Sequence, residues 1–322
     1  MEPTQDSPIG HACHSFRRAQ ALSSFSADER FWGIGGTFHY LECPHCHSWT
    51  IYPLPSDEML SHHYAGYYPP EEFAARKKEP INGVERLRAI STYHVLAKLR
   101  PLDETHRVLD IGTGCGGFLA AFREQVSVTV AGCDQSEHSA AMAKELFDIP
   151  VEVGEFDQLA YAPQSFDVVT MWHCFEHVKA PDVTLRRVKA LLKPDGVLVI
   201  EVPTQGVWAR VFKGRWLFLQ APTHLNIFTQ TGLIQKLESN GFEVAKVERP
   251  WSPSELAGSL LMRFGLTGFM PRVYFGPKRL LDHLWRVLFV CLLPLDIVLT
   301  LISAVTGTSG LLRVFARIES DE

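Results

Sequence analysis

From residue 84 onward the chain alternates two hydrophobic rhythms. The stretch VERLRAISTYHVLAKL spaces its apolar residues at helical intervals, and Pro101 sets its end. Short runs that are almost continuously apolar follow at RVLDIG, VTVAGCD, VEVGEF, FDVVTMW and GVLVIEVP. Helix-like stretches such as SEHSAAMAKELF and VTLRRVKALL separate them. Runs that are apolar at successive positions are buried on both faces, which predicts parallel strands covered by helices, an α/β doubly wound sheet. A further helix over 231–239, closed by Asn240-Gly241, leads into a sixth strand at FEVAKVE. The last strand candidate is LLRVFARIE, so the residues between these two strands read as an insertion and not as a tail. The expected divisions are an N-terminal segment over 1–80, a main domain over 81–250, an insertion over 251–310, and a last strand with its tail over 311–322.

Between the first strand and its helix stand Asp110, Gly112, Gly114 and Gly116, spaced D-x-G-x-G-x-G. Glycine is needed where the backbone turns tightly and a ligand must approach with no Cβ in the way. Gly112, Gly114 and Gly117 also satisfy G-x-G-x-x-G, and Asp134 ends the second strand where a ribose-binding acid belongs. The glycines alone therefore fit a dinucleotide such as NAD equally well. Asp110 favours another ligand, because a carboxylate at the strand end can pair with the ammonium of a methionine moiety but would face a pyrophosphate unfavourably.

The series VLDIGTGCGGFL, GCDQS, SFDVVTMWHCFEHV and LLKPDGVLVIEVP resembles the class I S-adenosylmethionine-dependent methyltransferases in content and order. It resembles most the bacterial branch in which the fourth strand runs into E-H-V, here Glu176-His177-Val178, and an H-x-x-x-F-[ST] element follows the fifth, here 224–229. The resemblance implies a Rossmann-like seven-stranded sheet whose last strand is antiparallel, and S-adenosyl-L-methionine as cofactor. It implies that Asp110 and Gly112, with Gly114 and Gly116, hold the methionine part. Asp134 with Gln135 would hold the ribose, and Glu155 and Phe156 the adenine. Trp172 would lie near the transferable methyl. Relatives usually have Asp where this chain has Glu155.

Methyl transfer displaces a sulfonium in line, so the protein mainly aligns the acceptor, and a base is needed only if the acceptor must lose a proton. His173, His177 and His224 are the candidates, because imidazole titrates near neutral pH. His224 follows Pro222 in a loop beyond a strand's C-terminal end, where open α/β sheets bind ligands, and is expected to be the base for an oxygen acceptor. His173 is the second expected catalytic residue. His177 is assigned to the turn that starts the helix after the fourth strand.

Cys43-Pro-His-Cys46 forms a C-x-x-C knuckle, half of a tetrahedral zinc site. The upstream donors are His11, Cys13 and His14, and the expected set is His11, Cys13, Cys43 and Cys46. Relatives in this branch begin with two such knuckles and a tyrosine-rich segment, which here would be Tyr64, Tyr67 and Tyr68, expected as a lid over the cofactor. Residues 287–305 carry one charge, Asp296, and approach the length of a membrane span. A single pass is disfavoured because the next strand must return to the same sheet, so an interfacial hairpin is expected, with Arg272, Lys278, Arg279 and Arg286 near headgroups and Tyr274, Phe275 and Trp285 at the boundary. The alternatives are a dimer interface or a helical subdomain.

Composition narrows the picture. Across 322 residues, 46% are hydrophobic, enough for one large core with appendages. A net charge of -5 offers no broad basic surface, so nucleic acid is not expected as a partner. The first thirty residues contain no secretory h-region, so a cytosolic protein is expected, at the inner face of the membrane if the insertion contacts lipid. Seven scattered cysteines suit reduced thiols better than a disulfide framework. The expected acceptor is an oxygen of a glycan precursor, lipid-linked sugar or related small molecule, with a quinone ring as the alternative. An NAD-binding oxidoreductase and a non-catalytic cofactor-binding protein are the alternatives of other classes.

Overall fold

A computed structural model describes residues 21–64, 77–274 and 279–319. The N-terminal strands are β1 (Ser24–Asp28), β2 (Thr37–Glu42) and β3 (Trp49–Ile51). The central strands are β4 (Arg107–Ile111), β5 (Thr129–Asp134), β6 (Val151–Val153), β7 (Phe166–Trp172) and β8 (Leu192–Pro203). After the short β9 (Asn226–Ile227) come β10 (Phe242–Glu248) and β11 (Leu311–Ile318). All seven strands expected of the main domain are present, in one sheet ordered β10-β11-β8-β7-β4-β5-β6. The pairs from β8 through β6 are parallel, whereas β11 runs antiparallel to both β8 and β10.

Alternate residues of each central strand enter two different cores. Leu109, Val169, Leu198 and Ile200 pack with Leu185, Val188, Leu233 and Leu237 on one face. Val108, Val168, Val197 and Val199 pack with Ala89, Leu96, Leu119 and Phe122 on the other. A strand whose successive side chains are both buried has no polar face, which is why these runs are continuously apolar. Helix Gly83–Leu99 begins with a capping box between Asn82 and Glu85. Helix Gln230–Glu238 is capped by Thr229, which accepts from Gly232 N, and Gly241 takes a positive φ of 75° just beyond it.

Two features go beyond the expected plan. The N-terminal segment folds as a small antiparallel sheet, β1-β2-β3, completed by β9 from the loop after β8. Tyr40 Oη donates to His224 O at 2.8 Å, so this sheet holds the loop that carries His224. The insertion is helical, comprising Glu255–Arg263, a π turn at Met270–Tyr274 and the long helix Leu280–Val305, which continues through Pro294. The E-H-V stretch corrects the expectation of a helix start: Phe175–His177 form a 3-10 turn, and the helix begins only at Pro181, where proline at the first turn loses no hydrogen bond.

Candidate active site

The order of the parallel strands reverses between β4 and β7, and the glycine turn lies at the carboxyl end of β4, where such sheets leave a crevice. The N–H groups of Gly112 and Thr113 both donate to Cys133 O, at 2.9 and 3.1 Å, folding the turn over β5. Gly112 has φ 73°, and a Cβ there would meet Cys174 Sγ at 2.8 Å, so only glycine fits. Gly114, at φ 55°, has nothing within 4 Å of where a Cβ would stand, a gap open to a ligand. Asp134 Oδ2 accepts from Gly114 N at 2.8 Å and its Oδ1 from Ser136 N at 2.9 Å. Burial raises its pKa. Asp110 is buried at the end of β4, with Thr170 Oγ1 donating to Oδ1 at 2.7 Å, and burial pushes its carboxyl up to about 7. A cavity of about 410 Å³ beside the turn is lined by Gln135, Glu155, Phe156, Met171, Cys174 and Tyr64, among others.

A second cavity, about 720 Å³, opens at the carboxyl end of β8 and the amino end of β11, which runs antiparallel to it. Its walls are apolar, with Val84, Leu87, Phe218, Pro250, Trp251 and Leu311, and its charged residues include Arg88, His173, Glu201 and Arg313. Glu201 is buried between two guanidinium groups: Arg88 Nη2 reaches Oε1 at 2.6 Å and Arg313 Nε reaches Oε2 at 2.7 Å. Burial raises the Glu201 pKa, but both arginines outweigh it and hold the carboxyl well below its ordinary range. His173 Nε2 lies 3.3 Å from Glu201 Oε1, and its Nδ1 lies 3.6 Å from Glu176 Oε1. Its backbone has φ 49°, uncommon for a side chain other than glycine, and 37% of its side chain is exposed. Burial of the ring works against its charge, yet the two carboxylates raise its pKa above the ordinary value.

Behind His173 lies a closed polar cluster. Glu176 is fully buried, with no hydrogen bond to either carboxylate oxygen within 3.5 Å among the described residues. Burial raises its pKa, and the facing His173 is foremost in bringing it below the ordinary value. His224 is 3% exposed, its Nδ1 donates to Phe218 O at 2.7 Å, and burial drives its pKa down to about 3. His177 Nδ1 donates to Thr223 O at 2.8 Å, and burial lowers its pKa too. His224 is therefore neutral at physiological pH, and burial disfavours charge on His177 as well. Ligand atoms of Glu176, His177 and His224 lie within 4.8 Å of one another, the group among the described residues spaced to hold a metal ion.

The profile of the methyltransferase-domain family matches residues 82–247, just over half of the chain. The chain belongs to this family. Among curated relatives, the ubiquinone biosynthesis O-methyltransferase of Neisseria meningitidis is 36% identical over 99 residues, covering 29% of this chain and 42% of that protein. The enzyme of the same name from Azorhizobium caulinodans is 27% identical over 166 residues, covering 48% of this chain and 65% of that protein. The match thus spans less than two thirds of either relative. A solved phosphoethanolamine N-methyltransferase of Haemonchus contortus, in complex with S-adenosylhomocysteine, has a TM-score of 0.48 and 19% identity, covering 71% of this chain and 52% of that one.

Within this methyltransferase domain, the expected cofactor residues fall at the turn and the smaller cavity, with Trp172 the exception. Asp110, Gly112, Gly114, Gly116 and Asp134 form the turn, and Gln135, Glu155 and Phe156 line the smaller cavity. Trp172 does not line either cavity: its ring is buried between the guanidinium groups of Arg88 and Arg313, at 5.1 and 5.2 Å. His224 lines neither cavity and sits behind His173. Cys43 and Cys46 are buried together at a turn closed by Cys43 N to Ser48 O, whereas His11, Cys13 and His14 lie outside the described residues. Tyr64 lines the smaller cavity, with Oη 3.1 Å from His177 Nδ1, and Tyr67 and Tyr68 also lie outside the description. The residues missed from sequence are Arg88, Glu201 and Arg313. Their signal was present: a Glu and an Arg interrupt otherwise apolar strands, and a buried charge requires a partner.

Proposed function

We propose that this chain transfers the methyl group of S-adenosylmethionine to a hydroxyl oxygen of a flat, apolar small molecule bound in the larger cavity. The observation that carries this reading is the cavity itself, apolar walls around one accessible imidazole. A glycan precursor carries many hydroxyls and needs a polar partner for most of them, whereas Val84, Leu87, Phe218, Pro250, Trp251 and Leu311 present an apolar surface and the charged Arg88, Glu201 and Arg313 are engaged with one another. A phenolic or quinone-type ring suits them, and the names of the curated relatives point the same way. This places the quinone-ring alternative ahead of the sugar acceptor.

S-adenosylmethionine supplies an electrophilic methyl on a sulfonium, and it fits the residues present. The open gap at Gly114 admits a ligand chain, Asp110 offers a carboxylate for its ammonium, and Asp134 with Gln135 suits a ribose diol. His173 takes the proton of the acceptor hydroxyl, leaving an oxygen nucleophile as the carbon–oxygen bond forms and the carbon–sulfur bond breaks. Glu176 and Glu201 stabilise the imidazolium produced. His224, buried and neutral, is read as positioning this cluster, a change from the base role expected of it. The decisive experiment is transfer of labelled methyl to cell extract separated into lipid, polysaccharide, protein and small-molecule fractions. Label in the lipid or small-molecule fraction is expected, and label confined to polysaccharide would refute the acceptor class.

A further inference from the structure

Helix Leu280–Val305 reverses the pattern of a helix that faces water. Its buried positions are Asp282, Phe289, Asp296, Thr300 and Ser303, a stripe recurring mainly every seven residues, and four of the five are polar. Asp296, Thr300 and Asp282 find their partners inward. Asp296 accepts the N–H groups of Ser254, Leu256 and Ala257 at 2.7, 2.9 and 3.0 Å, so the one charge of the apolar stretch caps a neighbouring helix. Thr300 Oγ1 accepts from Trp251 Nε1 at 2.8 Å, and Asp282 faces Arg272 at 3.5 Å. The outward side is aliphatic. Leu284, Val287, Val290, Leu295, Val298 and Ile302 are each 51–57% exposed. At 3.6 residues per turn, the exposed aliphatic face from Ile297 round to Leu288 covers an arc of about 180°.

We propose that this face rests in the interfacial layer of an anionic lipid bilayer, with the helix axis in the membrane plane. A second copy of the chain would cover one stripe of such a helix, whereas an apolar medium covers half its circumference. Exposed Arg279 and Arg286 stand at the N-terminal end and edge of the arc, where headgroup phosphates would meet them. The in-plane orientation follows from the buried stripe, which holds the helix against the protein from Asp282 to Ser303, about 32 Å of its length. Its companions carry Arg263, exposed, and Arg272, so a transmembrane orientation would draw those charges into hydrocarbon. Trp251, which the helix holds through Thr300, is also part of the larger cavity's wall, so docking brings that cavity to the lipid surface. Only this last consequence rests on the acceptor reading.

Flotation of the purified full chain tests the docking without any activity measurement. Vesicles of phosphatidylcholine with phosphatidylglycerol, and of phosphatidylcholine alone, are compared for the wild type and for the double variant Val287→Glu, Val298→Glu. The wild type should float with the mixed vesicles and less with the neutral ones. The double variant should bind on the order of tenfold more weakly, with an unchanged melting temperature because both side chains face outward. A wild type that stays soluble with both vesicle types overturns the proposal. So does a double variant that floats equally well, or a soluble dimer that the double substitution dissociates, which would assign the face to a second copy.

Discussion

Replacing Asp110 by Asn should stabilise the free protein and weaken cofactor binding together. Burial moves this carboxyl from its ordinary 3.8 to about 7, which corresponds to about 4 kcal/mol against the charged form. The folded state holds the proton more tightly than the unfolded chain. Stability from this group is therefore full below pH 3.8, declines as pH rises through about 7 and levels off above it. Asn has the same shape and no charge, so at pH 8 the variant should gain up to about 4 kcal/mol, and at pH 4 nothing. Binding responds in the opposite sense. Losing a charge-assisted hydrogen bond to the ligand ammonium removes about 1.5–3 kcal/mol, a weakening of about 10- to 150-fold. Wild-type affinity should rise up to about tenfold per pH unit until about 7 and then stay level, with a proton released on binding below that point. Calorimetric titration with S-adenosylhomocysteine in buffers of differing ionisation enthalpy, alongside melting of the free protein, measures both effects. Wild-type affinity that is independent of pH, or an Asn variant that binds as tightly, would refute the pairing of Asp110 with the ammonium.

Three further outcomes are expected. His173→Gln should lower turnover by about 10²- to 10⁴-fold while leaving S-adenosylhomocysteine affinity unchanged, and should abolish a rise in rate with pH whose midpoint lies above 6.5; initial rates of labelled-methyl transfer across pH decide it, and a variant with wild-type rates removes His173 from the chemistry. Glu201→Gln strands Arg88 and Arg313 in a buried site, so the loss is about 3–5 kcal/mol and, at about 2–4 °C per kcal/mol, about 6–20 °C in Tm. Because Glu201 is held below its ordinary value of 4.5, its stabilisation is present above that pH and fades as pH falls through the folded value; a melting series from pH 8 to acid should show the two proteins converging. The zinc expected at the Cys43–Cys46 knuckle gives the third test. Metal analysis of purified protein should find zinc in stoichiometric amount, and its absence would leave the knuckle held by packing alone.

The seven strands, their helices and the glycine turn were legible along the chain because each rests on a local rule. A strand covered on both faces must be apolar at every position, as in FDVVTMW, and a backbone at φ 73° beside a cysteine must be glycine, as at Gly112. The insertion before the last strand was legible for the same reason, since LLRVFARIE could only belong to the sheet. Tertiary structure decided everything that depends on which residues meet. His173 and His224 look alike in sequence, yet one opens into a cavity between two carboxylates and the other is closed behind it, because β9 pairs the His224 loop with the N-terminal sheet. Arg88, Glu201 and Arg313 are separated by more than a hundred residues at each step and become one ion cluster only when β11 lies beside β8. Likewise, the apolar stretch near the C-terminus has the same composition whether it is a core helix or a membrane surface. Only its packing shows Asp296 turned inward to cap a helix and the aliphatic side chains turned out, since periodicity marks which residues share a face but not which way that face points.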